Sequence, residues 1–403
     1  MLGMTYILDG IKVIELASYG AAPAVATILS DFGADVIKIE APTGDDRHLS
    51  DGNGETEYYR LLNSRNKKGI CLDLSKAAGK DVLHQLVRSS DVLLTNFLDR
   101  EMEQFELEYE TLRKTNPKLI YAHVSGYGRK GPDRDQRGFD MVGWWARTGI
   151  LAAMRFLRGE TAPPATGVGD HVTALALSSA VMMALYHREK TGEGNFVSTS
   201  LVASGCYANG VALQRAIAGY DCDAALGKAT RIGSSLSNLY RTRDDESVVL
   251  IITNLKKEWS SLVKALGHKE WLKDPEFVDI TDWHAYTPDL ESRISSAIRE
   301  YNLKDLCWRL NEYGLAYSAV ERAGDVVCDA HLIENGVLVR TNSELPDYRW
   351  TVSNPIDIEG FEKRQPAEGP AIGEHSEQIL KDFGFSDNNI RDLIVAGVIV
   401  QSR

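Results

Sequence analysis

Cysteines are few in this sequence, and they are not paired. The 403 residues include five cysteines that stand far apart, and no two of them have the C-x-x-C spacing of zinc and redox motifs. An odd, scattered set of this kind indicates neither a disulfide framework nor a zinc site. We therefore predict that the protein binds no metal and works in a reducing compartment, the cytoplasm.

Positive charge is also scarce. Lys and Arg total 45 against 57 Asp and Glu, which gives a net charge of −12. Because phosphate binding depends on Lys and Arg, this balance argues against a nucleic-acid partner, although a local basic patch is still able to hold a small anion. The sequence shows no signal peptide and no uncharged apolar run of about 18 residues, so we predict no membrane span.

The chain starts with a β-α-β pattern. Residues 11–16 predict a strand, residues 24–32 a helix and residues 34–40 a second strand, which together form a parallel unit. A dinucleotide-binding fold would place G-x-G-x-x-G directly after the first strand. The loop here contributes Gly20 alone, so NAD binding is disfavoured, even though Glu40 ends the second strand.

Strands and helices continue to alternate along the chain. Further strands are predicted at 69–74, 92–96 and 119–125, and helices at 77–89 and 109–115. This order predicts an α/β fold with an open, mostly parallel, Rossmann-like sheet and helices on both faces. Ligands of such sheets bind beyond the carboxyl ends of the strands.

Two basic clusters, residues 65–68 and 129–137, lie in loops beside those predicted strand ends. In so acidic a chain, we regard them as candidate docking points for a phosphorylated ligand.

Length and composition favour two domains: 43% of the residues are hydrophobic and 25% are charged. We predict a large Rossmann-like domain over 1–213 and a linker over 214–225. A smaller α+β domain is predicted over 226–330, and a C-terminal segment, 331–403, is expected to pack back on the large domain.

An Ala-, Leu- and Met-rich stretch, residues 172–190, predicts a buried helix that ends at Gly192, with Asp170 at its start. Unpaired backbone N–H groups and the helix dipole favour an ionised carboxylate there. Gly167 and Gly169 carry no side chains and would let a large ligand approach closely. An Asp at this position is ordinarily a helix cap, so the local pattern leaves both roles open.

With these segments in order, the chain resembles the class III CoA-transferases of the formyl-CoA transferase and carnitine CoA-transferase type over nearly its whole length. The matching signatures are weak singly but agree in order and spacing. They are Leu-Asp-Gly at 8–10, Gly-Ala-Asp-Val-Ile-Lys-Ile-Glu at 33–40, Asn-Lys-Lys at 66–68, Leu-Asp-Leu at 72–74, Asn96, Ser-Gly-Tyr-Gly-Arg-Lys-Gly-Pro at 125–132, Gly-Asp at 169–170 and Thr-Gly-Glu-Gly at 191–194. Residues 137–147 and 163–171 most resemble enzymes that move CoA onto (R)-2-hydroxy acids, such as phenyllactate or 2-hydroxyisocaproate, in amino-acid fermentation.

The resemblance implies that Asp170 is the nucleophile. It also implies an acyl-CoA and a small carboxylic acid as substrates, and an interlocked homodimer. The stretches that line the family's CoA pocket fall at Leu72, Asp73, Leu74, Ser75, Asn96, Phe97, Leu98, Arg137, Gly138, Phe139 and Asp140. Substrate and mobile-loop positions fall at Gly20, Trp144, Trp145, Gly233 and Ser234.

The chemistry implied for Asp170 is covalent. Its carboxylate attacks the donor thioester to give an aspartyl–acyl anhydride and CoA thiolate, and the thiolate then attacks the aspartyl carbonyl to leave an aspartyl-CoA thioester. With an unperturbed pKa of about 3.9, Asp needs no base to become an anion. It is a weak nucleophile, so the site has to exclude water and supply oxyanion donors, each worth roughly 3 kcal/mol.

The sequence departs from the family pattern at three positions. A family glutamine falls at Gly20, an arginine at Ala41 and a tyrosine at Phe139. Small dianions such as oxalate want polar partners, so we expect an apolar 2-hydroxy acid that is accommodated by Phe139, Trp144 and Trp145. Core packing is the alternative role for these three aromatic residues.

Two other functions stay open. An α-methylacyl-CoA racemase shares the fold but needs an acid/base pair; its histidine falls at Phe139, so His171 would have to substitute. A non-catalytic acyl-CoA binding protein would keep the pocket and tolerate loss of Asp170. A covalent adduct on Asp170 separates the transferase from both.

Overall fold

A computed structural model describes residues 6–42, 58–154, 164–220, 238–275, 277 and 288–401. These residues form two compact units. One contains the described residues up to Ala218 together with those from Ala330 onward, and the other contains those between Gly219 and Asp329.

The described part of the first unit is built on a seven-stranded sheet with the strand order β12-β3-β2-β1-β4-β5-β6. Neighbouring strands are parallel except for β12, which runs antiparallel to β3. The strands are β1 (Lys12–Leu16), β2 (Asp35–Glu40), β3 (Lys68–Leu72), β4 (Val92–Thr95), β5 (Ile120–Ser125), β6 (Phe196–Ser200) and β12 (Ile399–Val400). The predicted mostly parallel, Rossmann-like sheet is confirmed.

The chain changes direction across the sheet between β1 and β4. Strands β2 and β3 extend from one side of β1, whereas β4, β5 and β6 extend from the other. Loops that leave β1 and β4 therefore diverge and open a crevice at their carboxyl ends, where ligands of open α/β sheets bind.

Helices cover both faces of this sheet, as predicted. The helices of the first unit are α1 (Ala21–Asp31), α2 (Tyr58–Asn63), α3 (Ala77–Arg88), α4 (Asp99–Gln104), α5 (Tyr109–Thr115), α6 (Ile150–Ala153), α7 (Val168–Thr191), α8 (Leu201–Ala208), α9 (Gly210–Ile217), α14 (Ala330–Glu334), α15 (Ser376–Asp382) and α16 (Asp387–Val395). Apolar side chains of α1 and α7 fill the core on one face. Those of α3, α5, α15 and α16 fill the core on the other.

Helix α7 carries the candidate nucleophile. It begins at Val168, four residues before the predicted start, and ends where predicted, at Gly192 with φ +77°. The positive φ explains the glycine, because other residues rarely adopt it at a helix end. This helix has the length and apolar composition of a membrane span. Its packing against α1 and the sheet, with Ala174, Leu177 and Val181 in the core, accounts for that composition.

Two further sheets occur among the described residues. In the first unit, β10 (Leu338–Arg340) pairs with β11 (Trp350–Val352). In the second unit, β7 (Asn238–Arg241), β8 (Ser247–Ile251) and β9 (Ala316–Ala319) form an antiparallel sheet. Its helices are α10 (Leu255–Leu266), α11 (Pro288–Ile298), α12 (Leu303–Glu312) and α13 (Ala323–Val326). Of the predicted linker, the first residues are helical, because α9 continues to Ile217.

Candidate active site

A cavity of about 400 Å³ opens at the carboxyl ends of β1, β4 and β5. Its walls include the residues that follow each of those strands, and Asp170 lies among them. Of the predicted site residues, the cavity brings together Gly20, Asn96, Phe97, Leu98, Arg137, Gly138, Phe139, Asp140 and Asp170. This is the crevice that the strand order of the sheet creates.

Asp170 sits in the first turn of α7, and the residue is buried, with 8% of its surface exposed. The phenol of Tyr59 donates a hydrogen bond of 2.6 Å to Asp170 Oδ2. The helix N-terminus adds the positive end of its dipole to this environment, which favours the carboxylate anion. Asp170 is therefore a largely desolvated, oriented carboxylate facing a cavity, which is the state that a carboxylate nucleophile requires.

Gly20 makes room for this hydrogen bond. A Cβ built on Gly20 would collide with both Tyr59 Oη and Asp170 Oδ2. Tyr19, the residue before it, has φ +65° and places its ring 5.0 Å from the ring of Phe139 in an edge-to-face contact. The loop after β1 thus brings its backbone against the nucleophile and an aromatic side chain into the cavity wall.

Asp140 positions the start of α7. Its Oδ2 accepts a 2.8 Å hydrogen bond from the N–H of Gly167, the residue that precedes the helix. Gly169 lies so close to Asp140 Oδ1 and the ring of Trp144 that a Cβ there would collide with both. Asp140 Oδ1 is buried and has no hydrogen-bond partner among the described residues. Asp140, which was predicted to line the CoA pocket, therefore also supports the helix that holds Asp170.

Asn96 uses its amide to join two strand ends. It accepts a 3.2 Å hydrogen bond from the N–H of Ser18 and donates a 2.7 Å bond to the Ser18 carbonyl. The loop at Gly138 packs closely on the end of β5: a Cβ on Gly126 or Gly138 would run into the backbone of the other glycine. Both contacts require the residue types that the sequence supplies.

The structure does not bring every predicted residue to this cavity. Leu72 ends β3, and Asp73, Leu74 and Ser75 follow it. Because β3 is separated from β4 by β2 and β1, these four residues do not line the cavity. Leu72 is buried at 1% exposure, and Asp73 accepts hydrogen bonds from the N–H and hydroxyl of Ser75, which lower the pKa of Asp73. Gly233 and Ser234 lie outside the described residues.

Trp144 and Trp145 belong to the core rather than to the cavity wall. They are 5% and 8% exposed, and their rings meet edge to face at 4.8 Å. A π-helical turn, Asp140–Ala146, turns both indoles toward the core beneath α7. Phe139, which precedes this turn, is 42% exposed and lines the cavity. Of the three predicted aromatic residues, one is therefore placed to contact a substrate.

The two basic clusters have different environments. Arg65 and Lys67 of the first cluster are buried in ion pairs with Asp31 and Glu15, so they do not form a docking surface. In the second cluster, Arg129, Arg134 and Arg137 line the cavity, and Arg129 lies 4.0 Å over the ring of Phe196. Of the two clusters, the second therefore presents guanidinium groups to this cavity.

The ring nitrogens of His171 point away from the Asp170 carboxylate. Its Nδ1 is 2.7 Å from the Gly167 carbonyl and its Nε2 is 3.1 Å from the side-chain amide of Asn63. It lines a second, larger cavity of about 870 Å³ on the other side of α7, whose walls do not include Asp170. With both ring nitrogens occupied, His171 is poorly placed to serve as the acid/base that a racemase needs.

His123 is the histidine that does border the candidate site. Its Nε2–H donates to the Phe97 carbonyl at 2.9 Å, and burial lowers the pKa of its imidazole, so the ring is neutral at pH 7. Nδ1 is then an acceptor, buried and without a partner among the described residues.

Among the residues that the structure describes, no three His, Cys, Asp or Glu side chains are arranged to hold a metal ion.

Several residues of the candidate site were not predicted from the sequence. Tyr59 is one, through its bond to Asp170, and Ser18, Tyr19 and Thr166 also line the cavity. Ser18 and Tyr19 follow β1, so the strand-end rule that pointed to Ser125 at the end of β5 was the signal that could have found them. Tyr59 lies in a short helix between β2 and β3 with no pattern that points to Asp170.

Comparisons with known proteins agree with this geometry. The family model of CoA-transferase family III matches residues 8–376. The (R)-2-hydroxy-4-methylpentanoate CoA-transferase of Clostridioides difficile is 28% identical over 96% of this chain and 98% of its own length. The cinnamoyl-CoA:phenyllactate CoA-transferase of Clostridium sporogenes is 29% identical over 96% of each chain. Among solved structures, a CAIB/BAIF family protein from Brucella suis shares the fold with a TM-score of 0.80, at 24% identity over 94% of this chain and 100% of that one.

A parallel sheet with a carboxylate at its ligand crevice, together with a family model that spans most of the chain, defines the class of protein. The chain belongs to CoA-transferase family III. It is an enzyme, a class III CoA-transferase, whose substrates are CoA thioesters.

Proposed function

We propose that this enzyme moves CoA from an acyl-CoA donor to an (R)-2-hydroxy acid of the 2-hydroxyisocaproate or phenyllactate type, with Asp170 as the covalent nucleophile. The observation that carries the proposal is the buried Asp170 carboxylate, held by Tyr59 at the wall of a cavity beyond the strand ends. The names of two relatives that align over nearly the whole chain support the choice of acid.

In the proposed reaction, an Asp170 oxygen attacks the thioester carbonyl and the C–S bond breaks. The products of this step are an aspartyl–acyl anhydride and CoA thiolate. The thiolate then attacks the aspartyl carbonyl, which releases the donor acid as its carboxylate and leaves an aspartyl-CoA thioester. The acceptor carboxylate reverses the two steps, so the protein ends unchanged and no proton, electron or further reactant is needed.

The residues around the cavity suit these substrates. Arg129, Arg134 and Arg137 offer guanidinium groups to the phosphates of CoA or to a carboxylate. Leu72–Ser75, on the same edge of the sheet but further from β4, are proposed to contact a more distant part of CoA. Tyr19, Phe139 and Met141 give the wall an apolar section that fits an aliphatic or aromatic 2-hydroxy acid better than a small dianion.

Mass spectrometry of the peptide that carries Asp170 tests the mechanism. After incubation with an acyl-CoA, we expect an acyl or CoA adduct on Asp170 in the wild type and none in Asp170→Asn. Glu189→Gln, which changes an exposed carboxylate of the same helix, is the matched control and should keep both adduct and CoA exchange. Asp170→Asn that exchanges CoA at the wild-type rate would refute the proposal.

A screen of acceptor acids with one CoA donor tests the substrate class. We expect turnover with 2-hydroxyisocaproate, phenyllactate or indolelactate to exceed that with carnitine and oxalate. Rapid turnover of carnitine or oxalate alone would reject the hydroxy-acid assignment while leaving the transferase chemistry intact.

We also propose that the enzyme is a homodimer, interlocked as in the family that it resembles. Outward-facing apolar side chains on α7, α8 and α9 support a second copy as the partner: Met183, Tyr186, Tyr207, Val211 and Ile217 are 67–90% exposed. Sedimentation equilibrium should give twice the chain mass, and Tyr207→Glu with Val211→Glu should weaken the association. A monomer at micromolar concentration would exclude this proposal.

The four described cysteines are free thiols, which fits a cytoplasmic location.

A further inference from the structure

The Asn66-Lys67-Lys68 motif is part of the family signature, but it makes no contact with the candidate CoA cavity. Lys67 is instead one of the most deeply buried charges in the described chain. Its side chain and that of its partner Glu15 are both 0% exposed, and Nζ lies 2.6 Å from Glu15 Oε2. Such a pair costs desolvation energy, so its position calls for an explanation beyond stability.

The ammonium group of Lys67 joins three separate elements. Besides Glu15 on β1, it donates to the carbonyl of Pro23 on α1 at 2.9 Å and to the carbonyl of Asn63, the last residue of α2, at 2.6 Å. Three acceptors match the three N–H donors of a charged lysine, so a neutral amine loses at least one of these bonds and an apolar side chain loses all three.

Helix α2 has six residues, too few to be stable alone, so it relies on contacts with the rest of the fold. Tyr348 donates to the Leu61 carbonyl, and Lys67 contributes at the carboxyl end. Asn63 O accepts a second hydrogen bond from Thr27 Oγ1 at 2.7 Å, and Arg65 donates to Leu62 O at 3.0 Å. The carboxyl end of α2 is therefore fixed to the core by buried donors. Its other end carries Tyr59, which donates to Asp170.

We propose that Lys67 is a positioning residue for the nucleophile: its buried ammonium group fixes α2 and thereby holds Tyr59 against Asp170. This inference rests on the proposed role of Asp170. It assigns the Lys67 motif to the geometry of the reacting carboxylate rather than to binding of CoA phosphates, which Arg129, Arg134 and Arg137 are placed to contact.

The informative variant is the double substitution Glu15→Gln/Lys67→Met. It removes both buried charges together, so it avoids the lone buried carboxylate that would endanger folding in Lys67→Met alone. Lys68→Met is the matched control, because Lys68 is the next residue in the chain but pairs with Asp35 at 38% exposure. Circular dichroism and thermal unfolding establish that each variant is folded before its activity is compared.

We expect the double variant to lose at least about tenfold in kcat, as is usual when an outer support of a reactive group is removed, with KM for both substrates changed by less than about threefold. Lys68→Met should stay within about twofold of the wild type. In a Tyr59→Phe background, the further loss from Glu15→Gln/Lys67→Met should shrink to less than about threefold, because both changes act through the same hydrogen bond.

Thr27→Val provides a second test that leaves every charge in place. It removes the other side-chain donor to Asn63 O, so we expect a loss of kcat smaller than that of Glu15→Gln/Lys67→Met. This loss should also shrink in the Tyr59→Phe background. Wild-type kcat in folded Glu15→Gln/Lys67→Met or in Thr27→Val would overturn the inference. It would also be overturned if the fold-loss in kcat from these variants were as large in the Tyr59→Phe background as in the wild type. Failure of the proposed function looks different, because the wild type itself would then form no Asp170 adduct.

Discussion

Tyr59 Oη donates a 2.6 Å hydrogen bond to Asp170 Oδ2, although 111 residues separate the two in the chain. Helix α2 and the first turn of α7 meet at this bond. A hydrogen bond to a charged group contributes about 1.5–3 kcal/mol, enough to hold the carboxylate in one orientation. The orientation of the candidate nucleophile therefore depends on a helix that is remote in sequence.

Tyr59→Phe should lower kcat by roughly 10- to 100-fold, since 1.4 kcal/mol corresponds to about a factor of ten in rate. KM for the acyl-CoA should change little, because the phenol contacts the carboxylate rather than a residue expected to bind CoA. Steady-state kinetics with one donor and one acceptor acid measure both constants. Tyr58→Phe, at a neighbouring side chain that is 62% exposed, is the control. Wild-type kcat in Tyr59→Phe would show that the hydrogen bond is dispensable.

The elements of the sheet could be predicted from the sequence because each has a local pattern. Residues 34–40 contain three β-branched apolar residues between a glycine and a loop, and 35–40 of them form β2. The local pattern placed Asp170 at a helix start but left a capping role open, and its role as nucleophile was implied only by the resemblance to the class III CoA-transferases. The cavity between β1 and β4 follows from strand order, once each strand is in place.

Contacts between remote residues could not be predicted in this way. Lys67 and Arg65 have the sequence signature of an exposed basic loop, but their partners, Glu15 and Asp31, lie 52 and 34 residues away. The orientation of Trp144 depends on a π-helical turn, whose period differs from that of an α-helix. In both cases the determining interaction is tertiary, so local periodicity carries no signal.

Gly20→Ala should lower kcat by at least about tenfold, because the new Cβ would displace Tyr59 Oη or the Asp170 carboxylate. Overpacking of this kind costs roughly 1–3 kcal/mol of stability, so thermal unfolding should accompany the kinetic assay. Gly324→Ala is the control, since a Cβ at Gly324 meets nothing within 4 Å. Unchanged kcat in Gly20→Ala would mean that the two side chains rearrange without loss.

Gly138→Ala should raise KM for the acyl-CoA more than it lowers kcat. Gly138 and Gly126 pack backbone against backbone, and a Cβ on either would push the loop of residues 137–139 away from the end of β5, while Asp140 stays bonded to the Gly167 N–H. That loop lines the cavity proposed to hold CoA, whereas Asp170 and Tyr59 are not in this contact. Isothermal titration with a CoA thioester should show weaker binding. Gly324→Ala, in open space, should bind normally.

Cys71 should resist alkylation in the folded enzyme at pH 8. It lies on β3 at 0% exposure, and burial raises the pKa of its thiol to about 11, so the reactive thiolate is nearly absent. Cys328 is exposed and should react readily with iodoacetamide under the same conditions. Mass spectrometry of the digested protein measures both sites. Equal labelling of Cys71 and Cys328 without denaturant would contradict the pairing of β3 with β12.

The buried Glu15–Lys67 pair should make stability and activity change in opposite directions. Burial raises the pKa of Glu15 and lowers the pKa of Lys67 to about 8, so both charges are costly in the fold. Glu15→Gln/Lys67→Met should therefore unfold at pH 7 with a free energy equal to that of the wild type or about 1–4 kcal/mol higher.

The pH dependence of this difference has a definite sign. Lys67 loses its proton near pH 8 in the folded chain but near 10.5 in the unfolded chain, so the unfolded chain binds more protons between these values. Wild-type stability from this group then rises with pH, and the advantage of the variant should shrink from pH 8 to 10.5. Glu15 works in the opposite direction from pH 4.5 upward, because its folded form keeps a proton that the unfolded form has lost. Urea unfolding at pH 7 and pH 9.5 measures the change. If the variant is several kcal/mol less stable than the wild type at pH 7, the pair stabilises the fold and its place beside α2 needs no catalytic explanation.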